Sequence, residues 1–291
     1  MPPVPTHTLY WHADDIGLSH GITQSIATCF DVLNSVSVIV NGTDLTGAVN
    51  AIQQHDAQNP DRPMRVVLHL NFMEGHALSG KSIICPNGIF DKDFIAFWRY
   101  AIQNRRDKIG FRDTIYAETL HQIRAFEDAF GHPPTLVDCH QHMHMIPIVA
   151  EGVARALSEA GIDKMRIPND YLWVRSPMIN MVKYGVLKTL TWKTRRIWHN
   201  HNISPPCAFF GVLPTGTAHT DIYAPALQHA HRYAQDLEIL FHPGKALITE
   251  YENWKNRPNL WAYYHNSQRE AEAKILRQLY TQYNINGNNY V

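Results

Sequence analysis

Residues 138–144 read Asp-Cys-His-Gln-His-Met-His. In an extended chain successive side chains alternate sides, so Asp138, His140, His142 and His144 fall towards one face. Carboxylate oxygen together with imidazole nitrogen is a donor set that divalent ions take. The strand must end near His140, so the later histidines are equally suited to hydrogen-bonding a bound molecule or steadying a ligand. Asp14 and Asp15 form a second group: of two adjacent carboxylates after an apolar strand, one can hold an ion while its neighbour takes a proton from water. Helix capping before the segment that opens at His20 is the competing use of that dipeptide. His69, flanked by Val67, Leu68 and Leu70, would alone be an ordinary buried histidine, but it stands at a strand end. His242 precedes Pro243 and Gly244, whose turn fixes its ring at the end of another apolar run. Histidine, both metal ligand and acid/base, is abundant at 18 of 291 residues.

The elements that must position these residues follow from periodicity. Short apolar or β-branched runs alternate with longer amphipathic stretches almost from end to end. Strands are expected at His7–His12, Val36–Val40, Arg65–Leu70, Thr135–Asp138, Lys164–Ile167, Cys207–Gly211 and Leu237–Phe241. Helices are expected at His20–Phe30, Leu45–Gln54, Phe94–Asn104, Thr114–Phe130, Val149–Ala160, Pro177–Trp198 and Ile222–Gln235. Five of the strands run into unusual polar residues: Asp14-Asp15, Asn41, His69, Asp138 to His140, and His242. That end of the strands is where α/β barrels and open α/β sheets assemble their sites. The expected fold is therefore α/β and (β/α) barrel-like, with about seven strands in one domain over residues 1–291. Asn71–Asp93, with Gly75, Gly80, Pro86 and Gly88, fits neither period and reads as an inserted loop or hairpin after the third strand.

Composition removes other classes. Lys plus Arg and Asp plus Glu both number 26, for a formal charge of zero. With no long run of either sign, neither nucleic acid nor an anionic membrane is an expected partner. Four cysteines lie far apart without a CxxC pair, so reduced thiols and a cytoplasmic location are expected. Neither a leader-like N-terminus nor an apolar stretch of about 18 residues is present. There is no P-loop, no G-x-G-x-x-G and no G-x-S-x-G. The aromatic residues of Asn253–Tyr264 read as core or interface rather than as a sugar-stacking platform.

Taken together and in order, Ala13-Asp14-Asp15-Ile16-Gly17-Leu18-Ser19, His69-Leu70-Asn71, Asp138 to His144 and His242-Pro243-Gly244 resemble the YdjC-like carbohydrate deacetylases, the family of chitooligosaccharide deacetylases and hopanoid-associated relatives. The resemblance covers most of the chain and is weak from Asp170 to Thr220. It implies a barrel-like fold, one divalent ion and removal of acetate from an N-acetylated sugar, a small carbohydrate substrate. It also implies metal ligands at Asp15, His69 and His140, a base at Asp14 and a general acid at His242. One carboxylate and two histidines suit Zn²⁺, and Mg²⁺ also occurs with the family. Asn41, His142, His144 and Arg166 are expected to contact substrate, and a homodimer is an expected assembly, with the aromatics near Trp254 and Trp261 exposed for an interface. Three positions depart from the family pattern: Ile16 replaces Phe, Leu68 replaces Gly, and Cys139 replaces Ser. Amidohydrolases and PHP-type phosphoesterases also use His-x-His on barrel strands, but on the first strand rather than mid-chain. A non-catalytic sugar-binding protein with a structural ion would need no spare base or acid beside a closed ligand shell.

Overall fold

The computed structural model describes residues 7–103, 107–170, 174, 176–216 and 219–285. Its strands are β1 (Leu9–Ile16), β2 (Ser35–Val38), β3 (Arg65–Leu70), β4 (Val137–Cys139), β5 (Ala208–Phe210) and β6 (Leu237–Phe241). They form one curled sheet in the order β4-β3-β2-β1-β6-β5, and every pairing is parallel. Parallel neighbours need long crossovers, and helices supply them. The helices are α1 (His20–Ala27), α2 (Leu45–Gln58), α3 (Phe94–Gln103), α4 (Lys108–Phe130), α5 (Pro147–Glu159), α6 (Met178–Asn200), α7 (Ala224–Tyr233), α8 (Pro258–Tyr264) and α9 (Gln268–Tyr280).

The α/β alternation is as expected, but the strands number six among the described residues, not seven. Lys164–Ile167 forms no ladder. Met165 bridges to Val137, Lys164 to Ser204 and, further on, Asp170 to Phe209. The segment thus crosses the gap between edge strands β4 and β5 by single contacts. Pro168, which has no N–H to donate, stops it from extending. β1 is longer than expected and runs through Asp14 and Asp15 to Ile16. Helices α8 and α9 are additional to the expected elements, and in α8 the aromatic density of 253–264 masks the helical period. Asn104, the expected end of α3, lies outside the described residues.

The two faces of the sheet differ in chemistry. Alternate residues such as Trp11, Ala13, Val36, Val38, Leu68, Val137, Ile239 and Phe241 belong to the apolar core under the helices. The residues between them, His12, Asp14, Ser35, Ser37, His69, Asp138 and Glu238, are polar yet buried. The period of two therefore sends an apolar set outward to the helices and a polar set into the curl.

The insertion after β3 is a small hairpin, as expected: His76 bridges antiparallel to Ile89, and Phe90 N–H donates to the Gly75 carbonyl at 2.9 Å. Asn41 anchors it, its amide donating to the carbonyls of Asn71 (3.3 Å) and His76 (3.1 Å). The turns after β1 and β2 press together where a Cβ on Gly42 would lie 2.2 Å from the Gly17 carbonyl oxygen and 2.6 Å from Leu18 Cα. At Gly185, within α6, a Cβ would meet nothing within 4 Å. Gly42→Ala should therefore destabilise the fold by about 1–3 kcal/mol, and Gly185→Ala should stabilise it by about 0.5–1 kcal/mol. Denaturant unfolding of the two variants checks both signs, and equal effects would contradict the packing.

Candidate metal centre

Two neighbours on a regular strand point to opposite faces. In β1, however, Ala13 pairs with Val36 and Ile16 with Val38, so β1 spends one residue more than β2 over that interval. This is a β-bulge. Asp15 takes the left-handed conformation at φ +78°, which aspartate enters more readily than most residues. Both carboxylates thereby reach one centre: His69 Nε2 lies 3.4 Å from Asp15 Oδ1 and 4.0 Å from Asp14 Oδ2. The capping use of this dipeptide is not realised, since both residues lie within the strand and Ser19 occupies the position before α1.

His69 comes from β3, and His140 directly follows β4. His140 Nδ1 lies 2.8 Å from Asp15 Oδ1. One donor atom from each of Asp15, His69 and His140 falls within 4.8 Å of the others. Behind each ring stands a second carboxylate. His69 Nδ1 is 2.5 Å from Asp138 Oδ1, and His140 Nε2 is 3.2 Å from Glu74 Oε1. Such a partner fixes the ring and would leave the opposite nitrogen for an ion, the usual arrangement of metal-bound histidine. His69 Nε2 is buried without a hydrogen-bond partner, as a nitrogen kept for an ion would be. The residues therefore fit a divalent ion.

The electrostatics agree. Burial penalises charge on each of these groups, but their neighbours outweigh it. His140 and His69 hold Asp15 far below the usual carboxylate range. Against burial, Asp138 and Asp14 push His69 up to about 10, while Asp15 and Glu74 push His140 up to about 9. The centre is built to favour positive charge, whether as two imidazolium protons or as one divalent ion.

Asp14 is 3% exposed. Arg166 Nη1 donates to both of its oxygens at 2.9 Å, and His12 Nε2 lies 3.0 Å from Oδ1. Burial would raise its carboxyl, but Arg166 foremost and then His69 and His12 hold it well below the usual range. His242 follows β6, and because Ala13 pairs with Phe241 it continues the strand beside Asp14. Its backbone N–H donates to Glu272 Oε2 at 2.7 Å, and its Nδ1 lies 3.6 Å from the same oxygen. The carboxylate sits on the Nδ1 side, leaving Nε2 as the ring's other end.

Of the four residues expected to contact substrate, Asn41, Arg166 and His144 bond protein groups. Asn41 spends its side chain on the hairpin and on Asn71. Arg166 gives its donors to carboxylates: besides Asp14, Nη2 lies 2.6 Å from Asp138 and Nε donates to Glu238 at 2.5 Å. His144 Nε2 bonds the Arg166 carbonyl at 2.9 Å and is fully buried. The expected alternation of 138–144 breaks because Gln141 and His142 take left-handed conformations, φ +48° and +58°. His142 is buried with Nδ1 unpartnered, and burial pushes its imidazole well below the usual range. Trp254 is not exposed for an interface: its indole N–H donates to Glu74 Oε2 at 2.6 Å. Tyr264 donates to Glu74 Oε1 at 2.8 Å. Glu74, Tyr264 and Glu272 are site residues that periodicity does not reveal, since they come from the hairpin insertion and from α8 and α9.

This curled parallel sheet, with its carboxylate–histidine group at the C-terminal strand ends, belongs to the YdjC-like family, whose model matches residues 8–282. The chain is similar to proteins named carbohydrate deacetylase: 28% identical over 182 residues in Danio rerio, covering 57% of this chain and 51% of that one, and 24% over 270 residues in Xenopus laevis, covering 79% of each. It is 32% identical over 153 residues to a chitooligosaccharide deacetylase of Klebsiella pneumoniae, covering 52% of this chain and 56% of the relative. The chain thus spans about half the length of several curated relatives that it matches. A crystal structure from Enterococcus faecalis, described as a proposed cellobiose-phosphate cleavage protein, superposes with a TM-score of 0.63 at 15% identity, covering 95% and 94% of the two chains. That likeness concerns the fold.

Because protons and an ion compete for the same imidazoles, divalent metal binding at pH 7 should release about two protons per ion and should tighten as pH rises. Calorimetry in buffers of different ionisation enthalpy measures the release, and a value near zero would contradict the assignment. Glu74→Gln should weaken metal binding by about 10- to 100-fold, and an unchanged affinity would mean that Glu74 does not steady His140.

Proposed function

We propose that the protein is a metal-dependent hydrolase that removes acetyl groups from N-acetylated sugars of the chitooligosaccharide type. The observation that carries this reading is the Asp15–His69–His140 group, each imidazole backed by a carboxylate, with the uncoordinated carboxylate of Asp14 beside it. Family membership and the names of the relatives supply the substrate class. The nitrogen-rich donor set favours Zn²⁺ over Mg²⁺, which takes oxygen ligands. A divalent ion held by Asp15, His69 and His140 would supply Lewis acidity for attack of water on the acetamide carbonyl.

The protein's own groups move the protons. Arg166 holds the Asp14 carboxyl well below the usual carboxylate range and in a fixed orientation. Its Oδ2, facing His69, accepts the proton that the attacking water loses. As the carbon–nitrogen bond breaks, the sugar nitrogen needs a proton to leave as an amine. His242 donates it from Nε2, while Glu272 holds the ring from the Nδ1 side. The products are acetate and a free amino sugar.

Acetate release from a panel of N-acetylated mono- and oligosaccharides, including N,N′-diacetylchitobiose and its 6-phosphate, tests this reading. Release should stop on chelation and return with metal. Asp14→Asn should lower kcat by about 10²- to 10⁴-fold while metal content stays intact. Near-normal turnover by that variant would remove Asp14 from its role.

A further inference from the structure

The buried carboxylates beside these imidazoles form two groups. His12, Asp14 and Asp138 also bring one donor atom each within 4.8 Å of one another, as a second ion site would require. A cation belonging to the protein sits there instead. Arg166 is 2% exposed, with Nη1 2.9 Å from each Asp14 oxygen, Nη2 2.6 Å from Asp138 Oδ2 and Nε 2.5 Å from Glu238 Oε1. We infer that Arg166 replaces a second metal ion: its guanidinium makes the centre a one-ion site and keeps Asp14 out of metal coordination, free to accept a proton.

Three features support this. First, a planar guanidinium presents donors along several edges in a fixed fork, so one side chain can serve three carboxylates, which the point charge of lysine cannot do. Second, His12 has no nitrogen left for an ion, because Nδ1 lies 2.7 Å from Ser35 Oγ and Nε2 lies 2.8 Å from Ser37 Oγ and 3.0 Å from Asp14. Third, the backbone that carries Arg166 is pinned: its N–H donates to the Val137 carbonyl at 2.9 Å, and its carbonyl accepts from His144 Nε2. An ion entering this group would have to expel a buried cation and would turn Asp14 from proton acceptor into ligand. Arg166 is thus a positioning residue that acts through Asp14.

The inference rests on the metal-centre reading of the same site, and ion counting separates the two. The wild-type protein saturated with Mn²⁺ should take up one ion per chain in a single calorimetric step, with the electron paramagnetic resonance spectrum of an isolated ion. Arg166→Ala should take up a second ion, magnetically coupled to the first. Its melting temperature should be lowered and then recovered by millimolar guanidinium or divalent ion. Its kcat should fall by about 100-fold or more with KM nearly unchanged, the pattern of a group that acts only in the reaction step. Arg166→Lys, which keeps a positive charge, should still bind one ion. Two coupled ions in the wild-type protein would overturn the inference alone, and no ion uptake would overturn the metal-centre reading with it. A folded Arg166→Ala protein that holds one ion and ignores guanidinium would also overturn the inference. If neither variant folds, the wild-type spectrum decides.

Discussion

A β-strand shows consecutive side chains to opposite faces, yet this centre requires two consecutive aspartates on the same side. The bulge in β1 resolves that conflict, and the rest of the site depends on it. Asp15 occupies a left-handed conformation, which costs about 1–3 kcal/mol for most residues other than glycine. The strain is held by what surrounds it: His140 and His69 grip the carboxylate, and Gly17, itself at φ +93°, starts the turn that packs against Gly42. With Asp15 so placed, β3 and the end of β4 deliver imidazoles to one side of it, while β6 brings His242 beside Asp14.

The second determinant is charge. Asp14, Asp15, Glu74, Asp138 and Glu238 are all nearly or fully buried, and unpaired buried carboxylates are expensive. Arg166 answers three of them directly, and the imidazoles answer the others. Two imidazolium protons carry the same charge as one divalent ion, so exchanging one for the other leaves the balance inside the curl unchanged. This accounts for an inner face that is polar while the outer face packs the apolar core. Alternation along each strand serves both purposes: in β1 Trp11 and Ala13 join the apolar core while His12 and Asp14 meet the charges, until the bulge brings Asp15 to the charges and returns Ile16 to the core.

Much of this was legible in the sequence. The apolar runs bounded by glycine and proline marked the six strands that form, and the polar residues at their C-terminal ends marked the site. Asp15, His69 and His140, which the fold brings together, were all singled out there, although their separate roles came from the family resemblance. What was not legible depends on backbone departures and distant partners. Nothing in Asp-Asp-Ile-Gly announces a bulge, and the left-handed turn at Gln141 and His142 broke an alternation that would have aligned three histidines. Glu74 meets Trp254 and Tyr264 across 180 and 190 residues of chain, and Glu272 reaches His242 from a helix that periodicity did not assign. Arg166 was expected at the substrate because the sequence shows a cation but not the carboxylates that claim it. The seventh strand does not form because Lys164–Ile167 makes only single bridges, to Val137 and Ser204, before Pro168 interrupts it.

The central claim is that Asp15, His69 and His140 together hold the ion on which the chemistry depends. Anomalous diffraction at the zinc edge from crystals of the zinc-loaded protein tests it directly. The account predicts one strong peak per chain, with His69 Nε2 and His140 Nδ1 at about 2.0–2.1 Å and an Asp15 oxygen at about 2.0–2.2 Å. A peak bound by other side chains, or none at this group in fully loaded protein, would contradict it.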